Sequence, residues 1–168
     1  MKTVRNAIAV ILVLSIVSIS CCVSTAKNEV PIRIDVTEYG IYTCQKIATI
    51  STSEASIGIM TTAKDFRLVE TTDQIPIGKG TLFGITVSYE DPKYESIEVM
   101  FRLVHPEVDD PYLKKVMTDS TLKWPIYSGV SAHFGYMLKE NFEMVRGSWT
   151  FEIWYMNELI CSKGFTLF

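Results

Sequence analysis

Ser131 and His133 are the two residues of this chain nearest to a recognisable reaction. They lie in Gly129-Val130-Ser131-Ala132-His133, a run that resembles a nucleophile elbow with histidine in its last place. In such an elbow a serine attacks an acyl carbon from a sharp strand-to-helix turn above a parallel sheet, and a histidine takes its proton. Here the run enters a period-two pattern instead. Ala132, Phe134, Tyr136 and Leu138 share one face, and no helix follows. Ser131 and His133 then share the other face, but nothing in the spacing supplies an orienting acid or an oxyanion hole. The expectation is a solvated strand face with no catalytic residue.

Other chemistries are weaker still. Gly78-Lys79-Gly80-Thr81-Leu82-Phe83-Gly84 misses the dinucleotide fingerprint, because its last glycine comes one residue late and no helix opens after it. It reads as a turn into a strand. His105, Glu107, Asp109 and Asp110 could offer metal ligands, but zinc wants about four ligands with outer-shell support. With two histidines in the chain, it would have to use Asp/Glu donors or the two cysteines, and the spaced oxygens of a calcium loop are missing. The segment from His105 to Pro111 reads as an acidic, exposed loop, so neither metal nor cofactor is expected. A pair of carboxylates for glycoside hydrolysis need not be close in sequence, and a small hydrolase using carboxylates or Ser131 and His133 is the competing class.

Aromatic residues are the remaining candidates. Trp149, Phe151 and Ile153 alternate as core residues, which puts Trp154 on the opposite face beside Glu152. Trp124 and Tyr127 fall in Trp124-Pro125-Ile126-Tyr127, read as a loop. Exposed tryptophan and tyrosine are enriched on recognition surfaces, so Trp124, Tyr127 and Trp154 are the candidate binding residues. For each, the alternative is a side chain that covers the core.

The ends of the chain point to export. Lys2 and Arg5 precede an apolar run from Ala7 to Ile19, followed by the small residues Ser20 to Ala26. That is the layout of a secretory signal, and the run is short for a membrane span. Residues 1–26 are the expected signal peptide, cut after Ala26, or before Cys21 if Cys21 is lipidated as in a bacterial lipoprotein. The protein would be periplasmic, secreted or lipid-anchored. Loss of Lys2 and Arg5 takes the net charge from −3 to −5, and no basic cluster survives. Phosphate binding rests on clustered positive charge, so nucleic acid is not an expected partner. Two cysteines remain, Cys44 and Cys161. An oxidising compartment favours joining them in a disulfide near the two ends of the domain; two separate buried thiols are the alternative.

These residues must be held by strands. Val30 to Val36 alternates, and Tyr39 to Cys44 continues it after a kink at Gly40. Ile57 to Thr62 and Phe66 to Glu70 are shorter candidates. Thr81–Tyr89 and the run Ile97, Val99, Phe101, Leu103 are the clearest. Residues 112–128 read as one helical turn over Tyr112–Met117 and then irregular chain. Trp149 to Met156 and Leu159 to Phe168 form a closing hairpin around Asn157-Glu158. About 7–9 strands with almost no helix predict an antiparallel β-sandwich, with a barrel as the alternative. Residues 27–168 form its single domain.

Tyr39-Gly40-Ile41-Tyr42, then Gly80 with Phe83-Gly84-Ile85, and the hairpin Gly147-Ser148-Trp149-Thr150-Phe151-Glu152-Ile153-Trp154-Tyr155 together resemble a family of bacterial exported domains of unknown function. The resemblance implies an immunoglobulin-like β-sandwich over nearly all of 27–168. It brings no catalytic residues. The expected function is binding or assembly in the bacterial cell envelope, with a protein or glycan as partner, and not enzymatic. Membrane contact would come only through a lipid anchor.

Overall fold

The computed structural model describes residues 32–51 and 59–168. The expected signal segment with Cys21, and Val30, Pro31 and Ile57 of the expected strands, lie outside the described residues.

Period-two alternation builds two facing sheets. The first has four strands in the order β4 (Arg67–Glu70), β1 (Ile34–Thr43), β6 (Leu82–Tyr89) and β9 (Ala132–Met137). The second has five, in the order β5 (Gln74–Ile75), β11 (Glu158–Leu167), β10 (Gly147–Tyr155), β7 (Ser96–Asp110) and β8 (Lys115–Tyr127). The strands β2 (Lys46–Ser51) and β3 (Ile59–Lys64) pair as a separate antiparallel ribbon. Neighbours in the two main sheets are antiparallel, except that β5 runs parallel to β11. The nine strands of the two sheets match the expected sandwich.

The core fills the space between the sheets with the faces that alternation marked. Phe83, Ile85 and Val87 of β6 are buried against Trp149, Phe151 and Ile153 of β10. The ring of Phe83 meets those of Trp149, Phe151 and Phe165 edge-on, at 5.8, 5.6 and 5.5 Å between centroids. Such edge contacts suit the aromatic quadrupole and add to the apolar area buried. Phe101 of β7 stacks on Phe134 of β9 at 4.9 Å, which closes the core at the other side.

Several expectations on element limits are corrected. The acidic segment 105–110 is not a loop but the far half of β7. Between Val104 and Val108 the pairing with β8 slips, so His105, Pro106 and Glu107 face only Thr118. That bulge hides the alternation. Residues 115–127 are neither helical nor irregular but the edge strand β8, and Trp124 and Tyr127 lie in it rather than in a loop. Pro125 misled because proline breaks central strands, yet an edge strand tolerates it where no ladder bond is lost. The closing turn falls on Met156 and Asn157, one residue earlier than expected. Their φ values, 48° and 66°, are the pair of positive angles that a two-residue hairpin turn needs.

Candidate functional site

Three rows of residues cross the outer face of the four-stranded sheet. Glu38, Thr86 and His133 stand side by side on β1, β6 and β9. The next row is Gly40, Gly84 and Gly135, and the one beyond is Tyr42, Leu82 and Met137. The middle row therefore carries no side chains, and the flanking rows lean across it. A Cβ on Gly135 would sit 2.8 Å from His133 Nε2 and 3.2 Å from a Leu82 methyl. On Gly84 it would strike the carbonyl of Phe134. Glycine in a strand commonly marks such a close approach.

Over this floor the Tyr42 hydroxyl reaches Thr86 Oγ1 at 3.0 Å, and Thr86 Oγ1 shares a second hydrogen bond with His133 Nδ1 at 3.3 Å. Phe66 lies over the imidazole with centroids 3.9 Å apart, and Tyr42 meets it edge-on at 4.3 Å. The other ring nitrogen, Nε2, is buried without a hydrogen-bond partner among the described residues. Burial pushes the His133 imidazole down to about 4, so the ring is neutral at physiological pH. Burial also raises the Tyr42 phenol above its ordinary range, against the pull of the Thr86 hydrogen bond. Thr37, Glu38 and Ser131 complete the rim of an open cavity of about 560 Å³ above these rings.

Ser131 and His133 thus do share a face and a cavity. They do not form a nucleophile and its base. Nδ1 is engaged by Thr86, Nε2 has no partner, and no hydrogen bond joins the Ser131 hydroxyl to the ring. An imidazole held near 4 is also a weak base for a serine hydroxyl at neutral pH. The lining that sequence reasoning missed is Thr37, Glu38, Tyr42, Phe66 and Thr86. Its one visible signal was a glycine inside each of three strand patterns.

The aromatic candidates do not gather into one patch. Trp154, on the outer face of the five-stranded sheet, is half-buried, and its indole N–H donates to Glu152 at 2.8 Å. Arg102 reaches the same Glu152 at 3.5 Å and donates to Asp119 at 2.8 Å, which braces that face. Trp124 lies opposite Val99, on the inner side of edge strand β8, and is 36% exposed. Tyr127 points the other way at the end of β8 and is 50% exposed.

The expected disulfide is not formed: Cys44 and Cys161 are free thiols. The first and last strands lie in different sheets. Where they face one another, Tyr39 meets Phe165 and Lys163 Nζ sits 3.7 Å over the Tyr39 ring. Burial, with a smaller contribution from the carboxylate of Asp35, pushes the Cys161 thiol up to about 11. Cys44 lies nine residues beyond Asp35, about 30 Å along an extended chain, whereas a disulfide needs Cα atoms within about 7 Å.

The acidic candidates are also separated. His105 is buried, stacked on Trp149 at 4.9 Å between centroids, with Nδ1 bonded to the Pro106 carbonyl at 2.8 Å. Asp110 is buried and its Oδ1 accepts from the backbone N–H groups of Tyr112 and Leu113, which pins the β7–β8 turn. Glu107 and Asp109 face solvent. No cluster of three or more metal-ligating side chains occurs among the described residues. A further buried carboxylate, Glu143, accepts from the Tyr136 hydroxyl and from the N–H groups of Lys139 and Glu140, a structural cap behind β9.

A family profile described as a domain of unknown function (DUF3859) matches residues 30–167. The chain belongs to this family. No curated protein sequence matches it. Among solved structures it is similar to an immunoglobulin-like protein from Pseudomonas aeruginosa, with a TM-score of 0.62 and 20% identity over 85% of this chain and 99% of that one. That likeness shows the fold: the sandwich is immunoglobulin-like, as the sequence resemblance implied. A second structure, the Pseudomonas fluorescens alkylpurine DNA glycosylase AlkC bound to DNA containing an abasic site analogue, aligns with a TM-score of 0.34 and 12% identity over 58% of this chain and 28% of that one. A likeness that slight carries no argument.

Proposed function

We propose that this chain is an exported, non-enzymatic binding module of the bacterial cell envelope, and that it seats its ligand on the outer face of the four-stranded sheet. The observation that carries the reading is the hydrogen-bonded chain Tyr42–Thr86–His133. It fixes three side chains over a glycine floor and opens an oxygen-lined cavity without arming a nucleophile. Export rests on the apolar segment behind Lys2 and Arg5, with release after Ala26 or lipidation at Cys21 as the two routes. In either case the domain would work outside the cytoplasm, where an acidic surface does not compete for nucleic acid.

The test uses the mature chain on a solid support, exposed to envelope extract, with bound small molecules and proteins identified by mass spectrometry. Ser131→Trp fills the cavity from its exposed rim without touching the core. Ligands retained by the wild type and lost by Ser131→Trp are the expected result; equal recovery from both would overturn the seat. The hydrolase reading predicts ester or glycoside turnover that disappears in Ser131→Ala or Glu38→Gln. Such turnover would replace the binding reading.

A further inference from the structure

Acceptors predominate in the hydrogen-bonding capacity left free among the described residues of the cavity. Thr37 donates its hydroxyl proton to the Thr86 carbonyl at 3.2 Å and keeps only lone pairs. Thr86 Oγ1 is held between Tyr42 and His133, and His133 Nε2 is buried. The exposed carboxylate of Glu38 makes no ion pair or hydrogen bond among the described residues. Of the described lining, the Ser131 hydroxyl can both donate and accept toward a ligand, and the Tyr42 hydroxyl offers a lone pair or its proton according to which way its bond to Thr86 runs. Among the described residues that line the cavity there is no lysine or arginine, while the rings of Tyr42 and Phe66 are there.

Lone pairs, one negative charge and aromatic surface are complementary to a cation with several N–H donors. A primary ammonium has three donors and no acceptor, and it is attracted to aromatic rings as well as to a carboxylate. A carboxylate or phosphate ligand would meet Glu38 as a like charge. A neutral polyol would leave the charge of Glu38 unmatched. We infer that the cavity takes a primary alkylammonium group, of the kind carried by a lysine side chain or a diamine, with its N–H groups on Glu38 and Thr37 and its alkyl stem against the aromatic rings. This rests on the binding reading above, and it narrows that reading to one ligand chemistry.

The test is a titration of the isotope-labelled mature chain, followed by amide NMR at pH 7 and constant ionic strength. The probes are n-butylammonium chloride, n-butanol of the same shape, sodium butyrate of opposite charge, and methyl glucoside. n-Butylammonium should move the amide signals of Glu38, Thr86, Ser131 and Gly135 saturably, and the other three should not. Glu38→Gln should weaken that binding about fivefold, in keeping with a charge-assisted bond at an exposed site, and Glu107→Gln on the other sheet should not. Butanol or glucoside binding in place of the ammonium would overturn the ligand class and leave the cavity as a site. A cavity that answers to none of the four probes would overturn both, and unchanged affinity in Glu38→Gln would overturn the assignment of the ammonium to that carboxylate.

Discussion

A neutral imidazole held under Phe66 ties the stability of this sandwich to pH. The His133 ring is pushed down to about 4 by burial, whereas an unfolded histidine takes its proton near 6.5. Between those values the unfolded chain binds a proton that the folded chain refuses. Stability therefore rises with pH through this window: it is complete above about 6.5 and is lost as pH falls toward 4. Each pH unit inside the window costs about 1.4 kcal/mol, and the half-buried ring should forfeit about 2–3 kcal/mol in all. That is a large share of the 5–15 kcal/mol that stabilises a typical domain. Urea unfolding at half-unit steps from pH 8 to 4.5 would read it. Carboxylates titrate over part of the same range, so the quantity of interest is the difference between wild type and His133→Phe, which keeps a ring against Phe66 and Tyr42 but cannot titrate. Whatever the variant loses at pH 8, its acid limb should be shallower than the wild type by that 2–3 kcal/mol. Parallel limbs would refute the argument. So would an imidazole NMR titration of the native protein with a midpoint near 6.5.

The remaining predictions are simpler. Gly135→Ala places a methyl group 2.8 Å from His133 Nε2 and should cost about 1–3 kcal/mol in urea unfolding, with loss of the ring-current shifts that Phe66 imposes on the imidazole. Gly84→Ala drives its methyl into the Phe134 backbone and should cost more, and a variant as stable as wild type would show that β6 and β9 pair less closely. Cys44 and Cys161 should both alkylate in unreduced, unfolded protein, with Cys161 reacting slowly while folded because its thiol is held near 11; a linked peptide pair would refute the separation of the two strands. Intact mass of the native product should begin at Lys27 or at a lipid-bearing Cys21, and a chain beginning at Met1 would defeat both export routes.

What could be read from the sequence follows from how many faces of a strand are decided by burial. The inner face of β6, with Phe83, Ile85, Val87 and Tyr89, and that of β10, with Trp149, Phe151 and Ile153, are buried without exception. A central strand with one fully buried face shows its period plainly. The edge strand β8 does not. Only Ile126 in it is fully buried, Leu122 and Trp124 are partly covered, and Pro125 interrupts the pattern. Beyond Val104 the bulge opposite Thr118 shifts the inward positions from Leu103 and His105 to Val108 and Asp110, so a single period cannot span β7. The Cys44–Cys161 expectation failed on topology: β1 pairs with β4 and β6, and β11 lies across the core from it.

The cavity was hidden for a different reason. Its row of Glu38, Thr86 and His133 is assembled from three strands far apart in the chain, and only the register brings them together. Spacing within one strand correctly put Ser131 and His133 on one face, but it could not say what stood opposite. Thr86 decides the chemistry. By occupying Nδ1 while Tyr42 occupies Thr86, it leaves the imidazole as a packed, neutral wall of the cavity. A base must gain and lose a proton near the working pH, and a ring enclosed by Phe66, Tyr42 and a glycine floor resists the charged form. The same enclosure that spoils His133 as a base is what gives the cavity a rigid aromatic wall, with Glu38 the one charge at its mouth among the described residues. Binding and catalysis therefore make opposite demands on this one side chain, and the packing around it supports the binding role proposed above.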